Sequence, residues 1–353
     1  MATIKEVALH AGVTPTTVTN VLRGRGKTSE KTRLRVLDAV ALMGYRPNLT
    51  ARALVEGKAP TFALMLPCIT NPFYPEFMLH VGLAARRQGR YLILCNTDYE
   101  EDNESQFLDE VAGSLSDGVL VANNPNIDFA QLKRVSAGGT PVLIALWEDL
   151  DTHPGIPCLA FDGRRAGRMA TEHLVALGHR HIGAIIASPE NGMHDIRYQG
   201  FRDELRAASI DCPASAVRYC ADTFDGGRQA AIDLLTAMPD LTALFVSNDL
   251  AALGVLEAAA QLGRSLPDDL SVVSITNIMG SGQSRPALTT VAIPTARLAA
   301  RGIELLMEIQ KGEHRTALME CMHELELIVR ASTAQAPARR QEAGRRPRST
   351  SKN

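Results

Sequence analysis

The chain has 353 residues, 45% of them apolar and 22% charged, with a net charge of −2. That length exceeds one ordinary domain of ~50–250 residues, and that composition excludes a disordered or fibrous protein. No stretch approaches the ~20 apolar residues of a membrane helix, and the N-terminus lacks the basic-then-apolar start of a secretory signal, so a cytoplasmic protein is expected.

The small net charge hides a segregation. Residues 1–58 hold ten basic residues against four acidic ones, a balance of +6, and residues 331–353 hold six against one, a balance of +5. The stretch between them therefore carries −13. A basic head on an acidic body suits a polyanion at one end, although a solvated charged face has the same charge pattern. Six cysteines (Cys68, Cys95, Cys158, Cys212, Cys220 and Cys321) are scattered with no Cys-x-x-Cys pair. Such spacing favours reduced core thiols over a metal or redox site, and no cofactor is expected.

In chain order, the first sixty residues read as short helices. Ile4, Val7 and Ala8 form the inward face of the first, which the Ala11-Gly12-Val13 turn stops. Thr14 is a good N-cap and Pro15 suits a first helical turn, where a missing N–H is harmless. The second helix then runs to about Leu22, with Val18, Val21 and Leu22 on one side and Thr16, Asn20 and Arg23 on the other. A short helix with a polar outer stripe suits a major groove, although any small helical bundle shows similar patterns. Ser29 caps a third helix with Leu34, Leu37, Val40, Ala41 and Met43 as its apolar residues, and Gly44 ends it. After Pro47, Asn48 can cap a further turn or two through Leu49, Ala51, Arg52, Ala53 and Leu54, too short to persist alone in water.

From Thr61 to about Arg330, short apolar runs alternate with amphipathic stretches. Predicted strands are Phe62–Leu66, Tyr91–Cys95, Gly118–Val121, Val142–Leu146, Leu159–Phe161, Ile182–Ile186, Leu244–Val246 and Ser271–Ile275. Helical patterns lie at Glu76–Gln88, Arg164–Leu177 and Leu250–Leu262. This alternation predicts parallel sheets covered by helices. About 270 residues exceed one comfortable sheet, so two similar α/β subdomains with a cleft between them are expected. Their division falls near Asp162, and the chain crosses back near 290. Ligands of open α/β sheets bind beyond the carboxyl ends of the strands, which would line that cleft. The predicted plan is a helix-turn-helix head over 1–46, a hinge over 47–58, the α/β body over 59–330 and a disordered basic tail over 331–353.

Several motifs stand in the order and spacing of one family. Thr3-Ile4-Lys5-Glu6-Val7-Ala8, Ala11-Gly12-Val13-Thr14, Thr17-Val18-Thr19 and Gly44-Tyr45-Arg46-Pro47-Asn48 resemble the head of LacI-family transcription regulators. The resemblance continues through Asn71-Pro72-Phe73-Tyr74, Cys95-Asn96-Thr97-Asp98, His173 to His179, Ser247-Asn248-Asp249 and Pro286-Ala287-Leu288-Thr289-Thr290, covering residues 3 to about 332. It implies a repressor with a periplasmic-sugar-receptor-like body. Pro15, Thr16 and Asn20 would face base edges, and Thr14, Thr17 and Thr19 would help hold phosphates. Asn48 and Arg52 would belong to a hinge helix that orders on DNA, with Leu54 wedged between base pairs in the minor groove. Most members of the family have Arg where this chain has Asn20, and Asn suits adenine where Arg suits guanine.

In the body, the resemblance implies an effector cleft lined by Phe73, Arg197, Asn248 and Asp162. Thr276 stands where an Asp is common, and Asp222 where an aromatic residue is common. A sugar, sugar acid or related metabolite is the implied effector. Operators with two-fold symmetry imply a homodimer or higher homo-oligomer. Two other classes are weighed against this reading. A solute receptor without regulation would need export and would have no use for a DNA-reading head. An enzyme is disfavoured, since the body has no Gly-x-Gly-x-x-Gly after a strand, no Gly-x-Ser-x-Gly elbow and no metal-spaced His pair.

Overall fold

Capping chemistry fixes the first helix at both ends. In α1 (Ile4–Ala11), the Thr3 hydroxyl accepts from the Glu6 N–H at 3.3 Å while the Glu6 carboxylate accepts from the Thr3 N–H at 2.7 Å. At the other end Gly12 is left-handed (φ 63). That geometry is free of strain only without a Cβ. In α2 (Pro15–Leu22), Thr14 Oγ1 accepts from the Thr17 N–H at 3.2 Å, and in α3 (Glu30–Leu42) Ser29 Oγ accepts from the Thr32 N–H at 3.3 Å. Val7, Ala8, Ala11, Val18, Val36 and Ala39 form the head's core. Leu34 and Ala41, expected among the apolar face of α3, are exposed. The inward stripe of α3 runs through Val36, Ala39, Val40 and Met43. Leu34 precedes Val36 by two residues, or about 200° around the helix.

This computed structural model describes residues 2–22, 24, 26–46, 60–98, 101–112, 115–122, 126–190, 192–313 and 318–337. The chain forms two units, Met1–Pro60 and Thr61–Asn353. The second alternates strands and helices: β1 (Thr61–Leu66), α4 (Phe73–Arg87), β2 (Tyr91–Asn96), α5 (Glu101–Val111), β3 (Val119–Ala122), α6 (Phe129–Ala137), β4 (Val142–Trp147), β5 (Cys158–Phe161), α7 (Gly163–Ala176), β6 (Ile182–Ile186), α8 (Asp195–Ala207) and β7 (Val217–Tyr219). It continues with α9 (Phe224–Ala237), β8 (Ala243–Val246), α10 (Asp249–Gln261), β9 (Ser271–Thr276), α11 (Met279–Gln283), β10 (Thr289–Ala292), α12 (Thr295–Gln310), β11 (Met319–Met322) and β12 (Glu326–Ile328).

The strands build two six-stranded sheets with one topology repeated. The first runs β2-β1-β3-β4-β5-β11 and the second β7-β6-β8-β9-β10-β12. Every pairing is parallel except β10 with β12. Central strands β3, β5 and β8 are buried throughout, as expected when helices cover both faces. The chain passes between sheets three times: after β5, after β10 when α12 packs back on α4, and between β11 and β12.

Two helix pairs in the second subdomain touch backbone to backbone. A Cβ at Gly167 of α7 would lie 2.0 Å from the Arg197 carbonyl oxygen, and one at Gly200 of α8 would lie 2.0 Å from that of Arg164. In α9 and α10, Gly227 and Gly254 face Ala251 and Phe224 in the same reciprocal way, at 2.2 and 2.0 Å.

Several expectations need correction. Strands β7, β10, β11 and β12 were not among those read from the sequence, being short or half-exposed. The tail does not begin at 331: Ser332 is buried, its hydroxyl donating to the Val272 carbonyl at 2.6 Å and accepting from the Thr289 N–H at 2.8 Å. The Ala334 N–H donates to Ser271 Oγ at 3.0 Å. Small polar residues dock here through hydrogen bonds, so composition gives no sign of it. Residues 338–353 lie outside the described residues. All six cysteines are free; Cys95 and Cys158 are buried and the other four half-buried. Among the described residues no helix is long and apolar enough to cross a membrane.

Candidate effector cleft and DNA-reading helix

The carboxyl ends of the two sheets face each other across a small cavity. The first subdomain contributes Asn71, Phe73 and Tyr74 from the segment after β1, Leu146 and Glu148 from the end of β4, and Phe161 from β5. His194, Arg197, Asp222, Asn248 and Thr276 come from the second. The space they enclose is ≈ 20 Å³ for a water-sized body.

Polar links tie the subdomains together at and beside this cavity. The strongest is a buried fork: Arg197 Nε donates to Glu148 Oε2 at 2.7 Å and Nη2 to Oε1 at 2.5 Å, with the side chains only 3% and 6% exposed. Arg197 Nη1 also donates to the Ser247 carbonyl at 2.7 Å. Burial works against the charge of Arg197, but the adjoining Glu148 carboxylate outweighs it and raises the guanidinium pKa. In the second link, Asp222 accepts from Asn71 Nδ2 at 3.0 Å and from Asn248 Nδ2 at 2.5 Å. In the third, the Met279 N–H donates to Glu76 Oε1 at 2.8 Å.

Local geometry presents these groups. Asn71 and Asn248 each use the amide oxygen to cap a helix start, accepting from the Phe73 N–H at 3.1 Å and the Ala251 N–H at 2.9 Å. Their N–H groups are thereby turned toward Asp222. Leu146 (φ 62), Thr276 (φ 124) and Asn277 (φ 56) have left-handed backbones at the ends of β4 and β9, which occupy the same place in the two sheets. Branched residues in that region are uncommon and gather at binding sites. The Thr276 loop is held by Asp249, whose buried carboxylate accepts from Ser274, Ser281 and Thr290 hydroxyls and the Ile278 N–H. Burial raises its pKa against the pull of those four donors.

His194 is fully enclosed. Burial first, and then the charge of Arg197, hold its pKa well below the ordinary imidazole range. Its Nδ1 lies 3.1 Å from Ser247 Oγ, which itself accepts from the Ala187 N–H.

Of the residues named from the sequence, Phe73, Arg197, Asp222, Asn248 and Thr276 meet at the cavity. Asp162 does not. It caps α7 instead, Oδ1 accepting from the Arg165 N–H at 2.7 Å, because its strand ends where that helix begins. Arg197, expected to line the cleft, does so as one half of a buried pair with Glu148. Glu148, His194 and Leu146 were missed. An acid just after a strand has the look of an ordinary turn residue, so Glu148 gives no signal in the sequence. On the head, Pro15 and Thr16 are exposed on α2 with Asn20 half-buried. Thr14 and Thr17 hydroxyls lie 3.0 Å apart, and Thr19 Oγ1 donates to the Pro15 carbonyl. Asn48, Arg52 and Leu54 lie outside the described residues.

A helix-turn-helix head preceding a two-lobed α/β body with an interlobe cleft defines a ligand-responsive, DNA-binding transcription regulator. Residues 3–48 match the bacterial regulatory proteins of the lacI family, and residues 171–333 match a periplasmic binding protein-like domain. The HTH-type transcriptional regulator DegA of Bacillus subtilis is 30% identical over 334 residues, which cover 94% of this chain and 98% of that protein. The chain belongs to the LacI family. Among solved structures, a transcriptional regulator CelR–cellobiose complex is 29% identical, with a TM-score of 0.69 over 94% of this chain and 100% of that one. A lac repressor dimer bound to operator shares the fold at 23% identity, with a TM-score of 0.81 over 94% and 99% of the two chains.

Proposed function

We propose that this regulator is a cytoplasmic, dimeric repressor whose operator affinity is set by a small sugar-like effector bound between the two α/β subdomains. The observation that carries the reading is the convergence, on one cavity, of residues from both lobes: aromatic walls beside a few directed polar groups, held at strained strand ends. Pockets of this composition take ring-shaped polar ligands, whose flat apolar faces pack on aromatic side chains while their hydroxyls meet amides and carboxylates. The cellobiose complex of a related regulator supports a sugar. A cavity of ≈ 20 Å³ holds about one water, so a sugar enters only as the lobes part. Effector binding therefore resets the relative pose of the lobes.

Pro15, Thr16 and Asn20 would read bases, Thr14, Thr17 and Thr19 would set register on phosphates, and Asn48, Arg52 and Leu54 would serve the hinge. The dimer surface fits the exposed Leu79 and Leu83 on α4 with the exposed Met279 beside them, since the Met279 N–H is anchored to Glu76 on the same helix. Both lobes contribute to that patch, so a second copy seated there would sense their pose. The test is a thermal-shift screen of neutral, amino and acidic sugars on the full chain, followed by operator titration with each hit. A stabilising sugar that changes operator affinity is expected; stabilisation with no change in operator binding would overturn the regulatory reading.

A further inference from the structure

Acidic side chains outnumber basic ones among the described residues that line the cleft. Arg197 is the one cation among its described lining residues, whereas Glu148 and Asp222 are both carboxylates and His194 is kept neutral by burial. Glu148 engages the Nε and Nη2 edge of the guanidinium, the edge that a ligand carboxylate would take in a two-point grip. Its placement is built in from two directions. The Glu148 carbonyl accepts from the Gly163 N–H at 3.1 Å, and a Cβ at Gly163 would stand 2.7 Å from Glu148 Oε2. Glycine at the first position of α7 is what leaves the carboxylate room.

We propose that Glu148 is the residue that sets the charge of the effector: by standing where an effector carboxylate would bind Arg197, it bars acidic sugars and selects a hydroxyl-bearing effector with an amine. The inference rests on the sugar reading above and narrows it. An acidic effector has two ways in, and both are unfavourable. Displacing Glu148 leaves a carboxylate buried without its partner, and binding beside it adds a third negative charge to a site with one cation. An ammonium group instead adds no like charge beside Glu148, and the Asp222 carboxylate offers it an acceptor, while Asn71, Asn248 and Thr276 remain for hydroxyls.

The test uses the full chain and matched sets of probes: galactose, galactosamine and galacturonate, and glucose, glucosamine and glucuronate. Binding is measured by calorimetry, and the melting temperature without ligand reports folding. In the wild type the amine of the best-binding set is expected to lead, and its acid to bind at least ~100-fold more weakly, the scale on which stranding a buried charge acts. Glu148→Gln keeps the shape, removes the counter-ion, and is expected to raise affinity for the acid at least ~10-fold while lowering it for the amine. Asp222→Asn should weaken the amine, whose acceptor it removes. An acid that binds the wild type as tightly as its amine, a neutral sugar tighter than both, or a Glu148→Gln ranking identical to the wild type would overturn the proposal and leave the sugar reading intact. Failure of every probe on every variant would overturn both. Should Glu148→Gln not fold, the wild-type ranking decides alone.

Discussion

At the scale of single residues, burial governs three of the histidines. His173, His179 and His194 all have pKa values lowered first by burial. His179 sits among Thr242 Oγ1, Ser271 Oγ and the Ala334 carbonyl, and His173 against Thr333 Oγ1. When the unfolded chain takes up protons that the folded one refuses, stability rises with pH. These histidines therefore contribute stability that is complete above about pH 6.5 and declines as pH falls below it. The midpoint of urea unfolding is expected to drop between pH 7.5 and 5.5; an unchanged midpoint would contradict neutral buried histidines. On the head, Asn20→Arg is expected to change the preferred base at one position of each half-site, by ~1–3 kcal/mol of discrimination. Selection from randomised operators measures it, and uniform weakening of all sequences would remove Asn20 from the base edges.

At the scale of elements, helix contacts through glycine hold α8, and hence Arg197, at the cleft. Gly200→Ala sets a methyl group against the Arg164 carbonyl, where backbone cannot yield as a side chain can. It is expected to cost about 3 kcal/mol, the upper range for overpacking, and to weaken effector binding beyond any effect on operator binding. Gly282→Ala, whose Cβ would meet nothing closer than 3.9 Å, is the control; equal melting temperatures for the two variants would dismiss the close contact. Much of this architecture was legible in the sequence because buried parallel strands are continuous apolar runs, and because the capping residues Thr14 and Ser29 announce their helices. Strand β7 with three residues and the half-exposed β11 and β12 carry too little apolar signal to be read. The site was partly legible for the same kind of reason. Motifs led to Phe73, Arg197 and Asn248, whereas the meeting of Glu148 with Arg197 depends on a fold that brings together residues 49 apart in the chain.

At the scale of the whole molecule, charge is divided between units with different tasks. The +6 of residues 1–58 against the acidic body assigns DNA affinity to the head, and phosphate binding releases counterions. Operator affinity is expected to fall by about a thousandfold or more between 50 and 200 mM salt, the range for ~6–10 phosphate contacts. Fluorescence anisotropy on a labelled operator measures the slope, and a flat one would mean that the head's charge does not meet phosphate. The three chain crossings in the body bear on how the protein is made. The first sheet lacks its last strand until Met319–Met322 is synthesised, and the second is closed by Glu326–Ile328. On the ribosome the head emerges before the body, whereas neither sheet is finished until Met319–Met322 and Glu326–Ile328 have been made. A nonsense codon before Met319 thus yields a DNA-reading head joined to a body in which both sheets are unfinished.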